Sequence, residues 1–143
     1  VAKEEKAAAM LSNIETLVHV VFDRDEHKHW ESALVQARDA GFIVAASNPC
    51  FELWLILLKG DQGAHIERQP AQKLCKALHP GYCHKTNPKV DVGQLTQADL
   101  EEACARARSR RERLKMDDDD PWLNPVTTFD LTVQAIMDDV QEG

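Results

Sequence analysis

No stretch of this sequence is long and apolar enough to cross a membrane. The longest apolar run, Phe51 to Leu58, is interrupted by Glu52, whereas a spanning helix needs about 20 apolar residues. No secretory signal is visible. The four cysteines, Cys50, Cys75, Cys83 and Cys104, form no C-x-x-C pair. Without an export signal they read as reduced thiols of a cytoplasmic protein. Basic charge is also in deficit, with 17 Lys and Arg against 24 Asp and Glu and a net charge of −7. Bulk attraction therefore does not bring nucleic acid to this chain. Action on nucleic acid would need metal ions or a local basic stripe. Internal repeats are missing too, and nothing marks a second domain.

What is present suits one compact domain spanning residues 1–143, with 43% hydrophobic residues to build a core. The chain opens at Val1 in a charged segment, which reads as the middle of a domain. Ala7, Met10, Leu11 and Ile14 recur at helical spacing and predict a helix over Lys3–Glu15. Leu17 to Phe22 is nearly all apolar and rich in β-branched residues, the pattern of a strand buried on both faces in a parallel sheet. Trp30, Ala33, Leu34 and Ala37 share one face of a helix ending near Ala40, and Gly41 stands where the chain needs positive φ. Phe42 to Ala46 is the second strand. Asn48 and Pro49 suit the start of a buried helix over Cys50–Leu58. A short helix is expected over Pro70–Leu78, and Thr96 caps a long one ending near Lys115. A last helix turns Val126, Phe129, Val133, Ile136 and Val140 inward. The order of helices and strands is α/β patterning, with a helical C-terminal part.

Asp23-Arg24-Asp25 follows the first strand directly. Ligands of open α/β sheets collect outside the carboxyl ends of strands. Two carboxylates one residue apart can point the same way from an extended end, and a divalent cation relieves their repulsion. The plain alternative is a polar loop that happens to begin with two aspartates. Glu52 is a carboxylate in an otherwise apolar helix, at the same sheet edge. Burial makes it costly unless it is metal-bound or paired, with Arg24 or helix-start N–H groups as partners.

Other groups weigh less. His27 and His29 flank the Asp-Arg-Asp stretch, with His27 nearest the expected metal. Cys75, His79, Cys83 and His84 have spacing compatible with tetrahedral zinc, but Cys75 fits a buried helical stripe as well. The arginines from Arg106 to Arg113 read as a solvated face, at best a secondary phosphate contact. Asp117 to Asp120 is a solvated acidic loop without the glycine and alternation of a calcium loop.

The strings Val-Val-Phe-Asp-Arg-Asp-Glu-His (20–27) and Ser-Asn-Pro-Cys-Phe-Glu-Leu-Trp-Leu (47–55) resemble the RloB family of bacterial proteins linked to restriction–modification and phage-defence loci. Asn124-Pro125-Val126-Thr127-Thr128 is similar to the family's C-terminal Asn-Pro-x-Thr element. Tyr82 through Lys85 resembles its Tyr-x-Lys region with one extra residue. The likeness runs from about Val20 to Ile136. It implies a TOPRIM-like parallel sheet flanked by helices and a metal-dependent nuclease using Mg²⁺ or Mn²⁺. Asp23 and Asp25 match the TOPRIM Asp-x-Asp. Glu52 would complete or brace the metal site. Lys85 would touch the phosphate, by analogy with overcoming-lysogenization-type nucleases. The early TOPRIM glutamate has no counterpart here, so the expectation is a domain lacking its N-terminal strand or strands and inactive, or nearly so, without them. DNA or RNA is the implied substrate, and a second copy or a defence-system protein the implied partner. The other reading is a non-catalytic TOPRIM-like module that binds and regulates.

Overall fold

The computed structural model describes residues 17–26, 28–114 and 123–142. The expected helix over Lys3–Glu15, His27, Lys115 and the loop Asp117–Asp120 lie outside the described residues. In chain order come β1 (His19–Asp23), a 3₁₀ turn (Arg24–Glu26), α1 (Trp30–Asp39), β2 (Ile43–Asn48), α2 (Glu52–Leu57) and α3 (Arg68–Leu78). A second 3₁₀ turn (Val92–Gln94), α4 (Gln97–Leu114), β3 (Val126–Thr127) and α5 (Phe129–Glu142) follow.

The unit β1–α1–β2 forms as its pattern predicts. Parallel strands need a crossover, and α1 supplies it. Its Trp30, Leu34 and Ala37 are buried at helical spacing against Val44 and Ala46 of β2, with Val20, Phe22 and Phe42 alongside. Trp30 meets Phe22 edge-on with ring centroids 6.4 Å apart. Gly41 takes φ 75° just past the helix, a conformation costly for residues with a Cβ.

The sheet is mixed rather than parallel throughout. β1 and β2 run parallel in register from His19↔Ile43 to Asp23↔Ser47, and β3 joins the far edge of β2 antiparallel through Ser47↔Thr127 and Asn48↔Val126. The third strand is two residues long, too short to carry a readable period. Burial on both faces is true of β2, where only Ile43 is less than buried. It fails for β1, where Val21 is 53% exposed. Among the described residues β1 has a strand on one side only, whereas β2 is enclosed by β1 and β3.

A second core surrounds α2, all six of whose residues are buried. Cys50, Ala71, Cys75 and Tyr82 pack there with Ala103, Cys104 and Ala107 of α4, and Phe129 and Val133 of α5 close it. Each large apolar side chain buried here contributes about 1.5–3 kcal/mol. The Pro49 region departs from expectation. Asn48 still belongs to β2, the Asn48–Pro49 bond is cis, and the helix begins only at Glu52. Thr96 caps α4 as expected: its hydroxyl accepts from Asp99 N–H at 3.1 Å, and Asp99 accepts from Thr96 N–H at 2.8 Å. In α5 the inward stripe stops short, because Ile136 and Val140 are exposed. No helix among the described residues is long and apolar enough to cross a membrane.

Candidate active site

Asp23 is the last residue of β1, and its register partner Ser47 opens the segment that leads into α2. That pairing brings the two sequence blocks to one sheet edge. Asp23 Oδ1 accepts the N–H of Phe51 at 2.9 Å, and the N–H of Asp25 donates to the carbonyl of Pro49 at 3.1 Å. The Asp-Arg-Asp stretch is thus clasped to the Pro49–Phe51 segment. It is not an extended strand end. The chain enters a 3₁₀ turn at Arg24, so Asp25 leaves the strand's two-residue alternation. Asp23 is half-buried and Asp25 exposed.

Glu52 is buried at 2% exposure, and its partners are neither Arg24 nor the helix-start amides. Its Oε1 accepts from the Tyr82 hydroxyl at 3.0 Å and lies 2.6 Å from His84 Nδ1. Arg24 instead lies over the Trp30 ring, 5.6 Å from its centroid. Burial, and then the Glu52 carboxylate, pushes the Cys50 thiol and the Tyr82 hydroxyl well above their ordinary values. The Glu52 carboxylate engages Nδ1 of His84, so Nε2 is the ring nitrogen turned to other partners. The His84 side chain is 37% exposed. A carboxylate pinning one nitrogen is the arrangement that orients an imidazole for metal binding or proton transfer through the other.

The Cys75–His84 group does not assemble as one set of ligands. His79 Nε2 bonds to the Leu55 carbonyl at 2.7 Å, His84 is engaged with Glu52, and burial pushes the Cys75 thiol up to about 12. Among the described residues no group of three or more His, Cys, Asp or Glu side chains is arranged to hold a metal ion. Asp23 at the end of β1 and Asp25 in the 3₁₀ turn that follows are two carboxylates, and carboxylates are ligands that suit a hard cation completed by water and phosphate oxygens. Lys85 is exposed, one residue past His84, in a turn closed by the Cys83↔Asn87 bridge. There the Thr86 hydroxyl and N–H, with the Lys85 N–H, lower the Cys83 thiol to about 7.

The arginines of α4 mostly hold the fold. Arg111 is buried at 1% exposure and grips Asp130 at 2.6 and 2.8 Å while donating to the Thr127 carbonyl at 2.6 Å. Arg106 donates to the Leu57 carbonyl at 2.6 Å. Arg111 stands four residues after Ala107 in the buried stripe, a spacing that marks it as inward-facing. Tyr82 and His84 carried no such signal, because they lie outside any helix or strand.

The Asn124–Thr128 element also closes on this region. Thr128 Oγ1 accepts from Ala46 N–H and donates to the Val44 carbonyl, both at 3.0 Å, and the Ser47 and Thr127 hydroxyls meet at 2.8 Å. Asn124 pairs both its amide atoms with the backbone of Ile66, at 2.9 and 2.7 Å. The four family-like segments therefore meet through Asp23–Phe51, Glu52–Tyr82, Glu52–His84 and Ser47–Thr127. No curated protein and no solved structure matches the chain. The family model described as RloB-like protein matches residues 2–136. With all but the ends of its sequence inside that match, the chain belongs to the RloB-like family.

Proposed function

We propose that this chain carries the metal-facing part of a TOPRIM-type nuclease acting in bacterial defence against phage. The observation that supports this most is the junction of Asp23 with Phe51 at the carboxyl ends of two parallel strands, one residue from the buried Glu52. Open α/β sheets bind ligands at such edges.

In this reading Asp23 and Asp25 hold Mg²⁺ or Mn²⁺, which when bound neutralises the scissile phosphate and activates a water. The Phe51 N–H fixes one oxygen of Asp23 and so the direction of the other. Glu52 braces the site rather than donating to the metal, since its Oε1 already serves Tyr82 and His84. Its brace holds His84 with Nε2 free for a substrate oxygen or a water. Lys85, exposed on the next residue, reaches a phosphate oxygen as a mobile point charge.

The test is an assay of the protein in its full natural length with Mn²⁺, on single- and double-stranded DNA and on RNA. The reading expects products with wild type and none with Asp25→Asn. The second reading, a binding or regulatory module, has its own support in the departure of Asp25 from the strand and in the two-carboxylate donor set. Nucleic-acid binding without cleavage under any of these conditions would decide for it.

A further inference from the structure

We infer that the cavity beside the Asp23–Asp25 turn is a subsite for a phosphate of the nucleic-acid strand. The cavity measures about 360 Å³ and is lined by Arg24, Lys28, His29, Trp30, Glu31 and Ser32. Among the described residues of its lining, Arg24 and Lys28 bring two positive charges in a chain whose net charge is −7. The Trp30 ring is a fixed floor, itself only 3% exposed and packed edge-on against Phe22. Arg24 lies over that ring, 5.6 Å from its centroid, and a guanidinium can take two phosphate oxygens through its planar fork of N–H groups. Neither Arg24 nor Lys28 has a carboxylate partner among the described residues. Ser32 Oγ accepts from Gln36 at 3.2 Å, so its hydroxyl proton is free to donate. Among the described residues of the lining Glu31 is the one acidic side chain, and Arg24 and Lys28 outweigh it.

The comparison within the molecule favours this cavity over the arginine series of α4. A cavity of about 270 Å³ there is lined by Arg106, Arg110 and Arg113 with Asp61. Arg106 is committed to Leu57 and Glu102, Arg110 donates to the Pro125 carbonyl at 3.4 Å, and Asp61 adds a repelling carboxylate. Arg24, by contrast, stands between Asp23 and Asp25 in the chain. A strand phosphate held by Arg24 and Lys28 is thus next in the chain to Asp23 and Asp25, neither of which lines the cavity itself. The functional meaning of the subsite rests on the nuclease reading; its existence does not.

The test is fluorescence anisotropy with a labelled single-stranded DNA and the matching RNA, in EDTA so that cleavage plays no part. The variants are Arg24→Gln with Lys28→Gln and, as a control of equal charge change, Lys73→Gln with Lys76→Gln on exposed positions of α3. The first pair should lose about tenfold or more in affinity and flatten the salt slope by about 1 per contact, while the control changes little. Inorganic phosphate should compete with the labelled strand for wild type. Arg24→Lys, which keeps the charge without the planar fork, should fall between, and thermal melts show whether each variant is folded. Equal losses in both pairs, no loss in either, or no binding by wild type would each overturn the subsite. Binding that depends on Arg24 and Lys28 without cleavage in the Mn²⁺ assay would keep the subsite and remove the nuclease. Asp25-dependent cleavage with binding indifferent to Arg24 and Lys28 would do the reverse.

Discussion

Glu52 and His84, 32 residues apart in the chain, meet through a 2.6 Å hydrogen bond between Oε1 and Nδ1. Tyr82 donates to the same oxygen. Replacing Glu52 by Gln weakens both bonds inside a buried pocket, at a cost of about 1–3 kcal/mol. Thermal melts of Glu52→Gln should show a lower midpoint, and the rise produced by added Mn²⁺ should persist. An unchanged midpoint with the Mn²⁺ response gone would make Glu52 a metal ligand instead of a brace.

The Arg111–Asp130 pair is the most buried ion pair among the described residues, with both side chains 2% exposed. Removing one partner strands a charge in the core, and Arg111→Ala or Asp130→Ala should each cost about 3–5 kcal/mol. Arg111→Met with Asp130→Leu should cost less than either single change, although the Thr127 carbonyl then loses its donor. Urea unfolding of the three proteins measures the difference. A double variant as unstable as the sum of the singles would contradict a coupled pair.

The local elements were legible in the sequence because their signals are local. β1, α1, Gly41 and β2 carry period, turn residue and length within a few positions of one another. β3 was not legible, because two residues carry no period and their partners are Asn48 and Ser47, some eighty positions away. Glu52 could be read as a buried carboxylate needing a partner, but its partners sit in an irregular stretch that no periodicity marks. Arg111 has the spacing of a buried position, but the arginines around it give the stretch the pattern of a solvated face. The 3₁₀ turn at Arg24 could not be read, because its tie is the distant Pro49 carbonyl.

The four cysteines should separate cleanly by reactivity. Burial is the main cause that raises Cys50, Cys75 and Cys104, the last to about 11, whereas hydrogen bonds from Thr86 and Lys85 lower Cys83 to about 7. The thiolate is the nucleophile, and lowering its value extends the reactive form to lower pH. Alkylation of Cys83 should therefore rise through about pH 7 and level off above it, with the other three modified only on unfolding. Thr86→Val removes the largest stabilising contact and should move the midpoint up toward the ordinary thiol value of 9.0. Peptide mass spectrometry across a pH series reads both effects, and a midpoint indifferent to Thr86 would contradict the assignment.

Calorimetric titration with Mn²⁺ tests most directly the proposal that Asp23 and Asp25, at the end of β1, bind metal. Asp25 is exposed, so Asp25→Asn removes a charge and leaves the core untouched. Asp23→Asn is the companion variant, because one oxygen of Asp23 also holds the Phe51 N–H. Wild type should give a saturable isotherm of modest affinity, since two carboxylates leave most of the coordination to water, and each variant should weaken it by about tenfold or more. Identical isotherms from wild type and both variants would contradict the claim that these carboxylates bind metal.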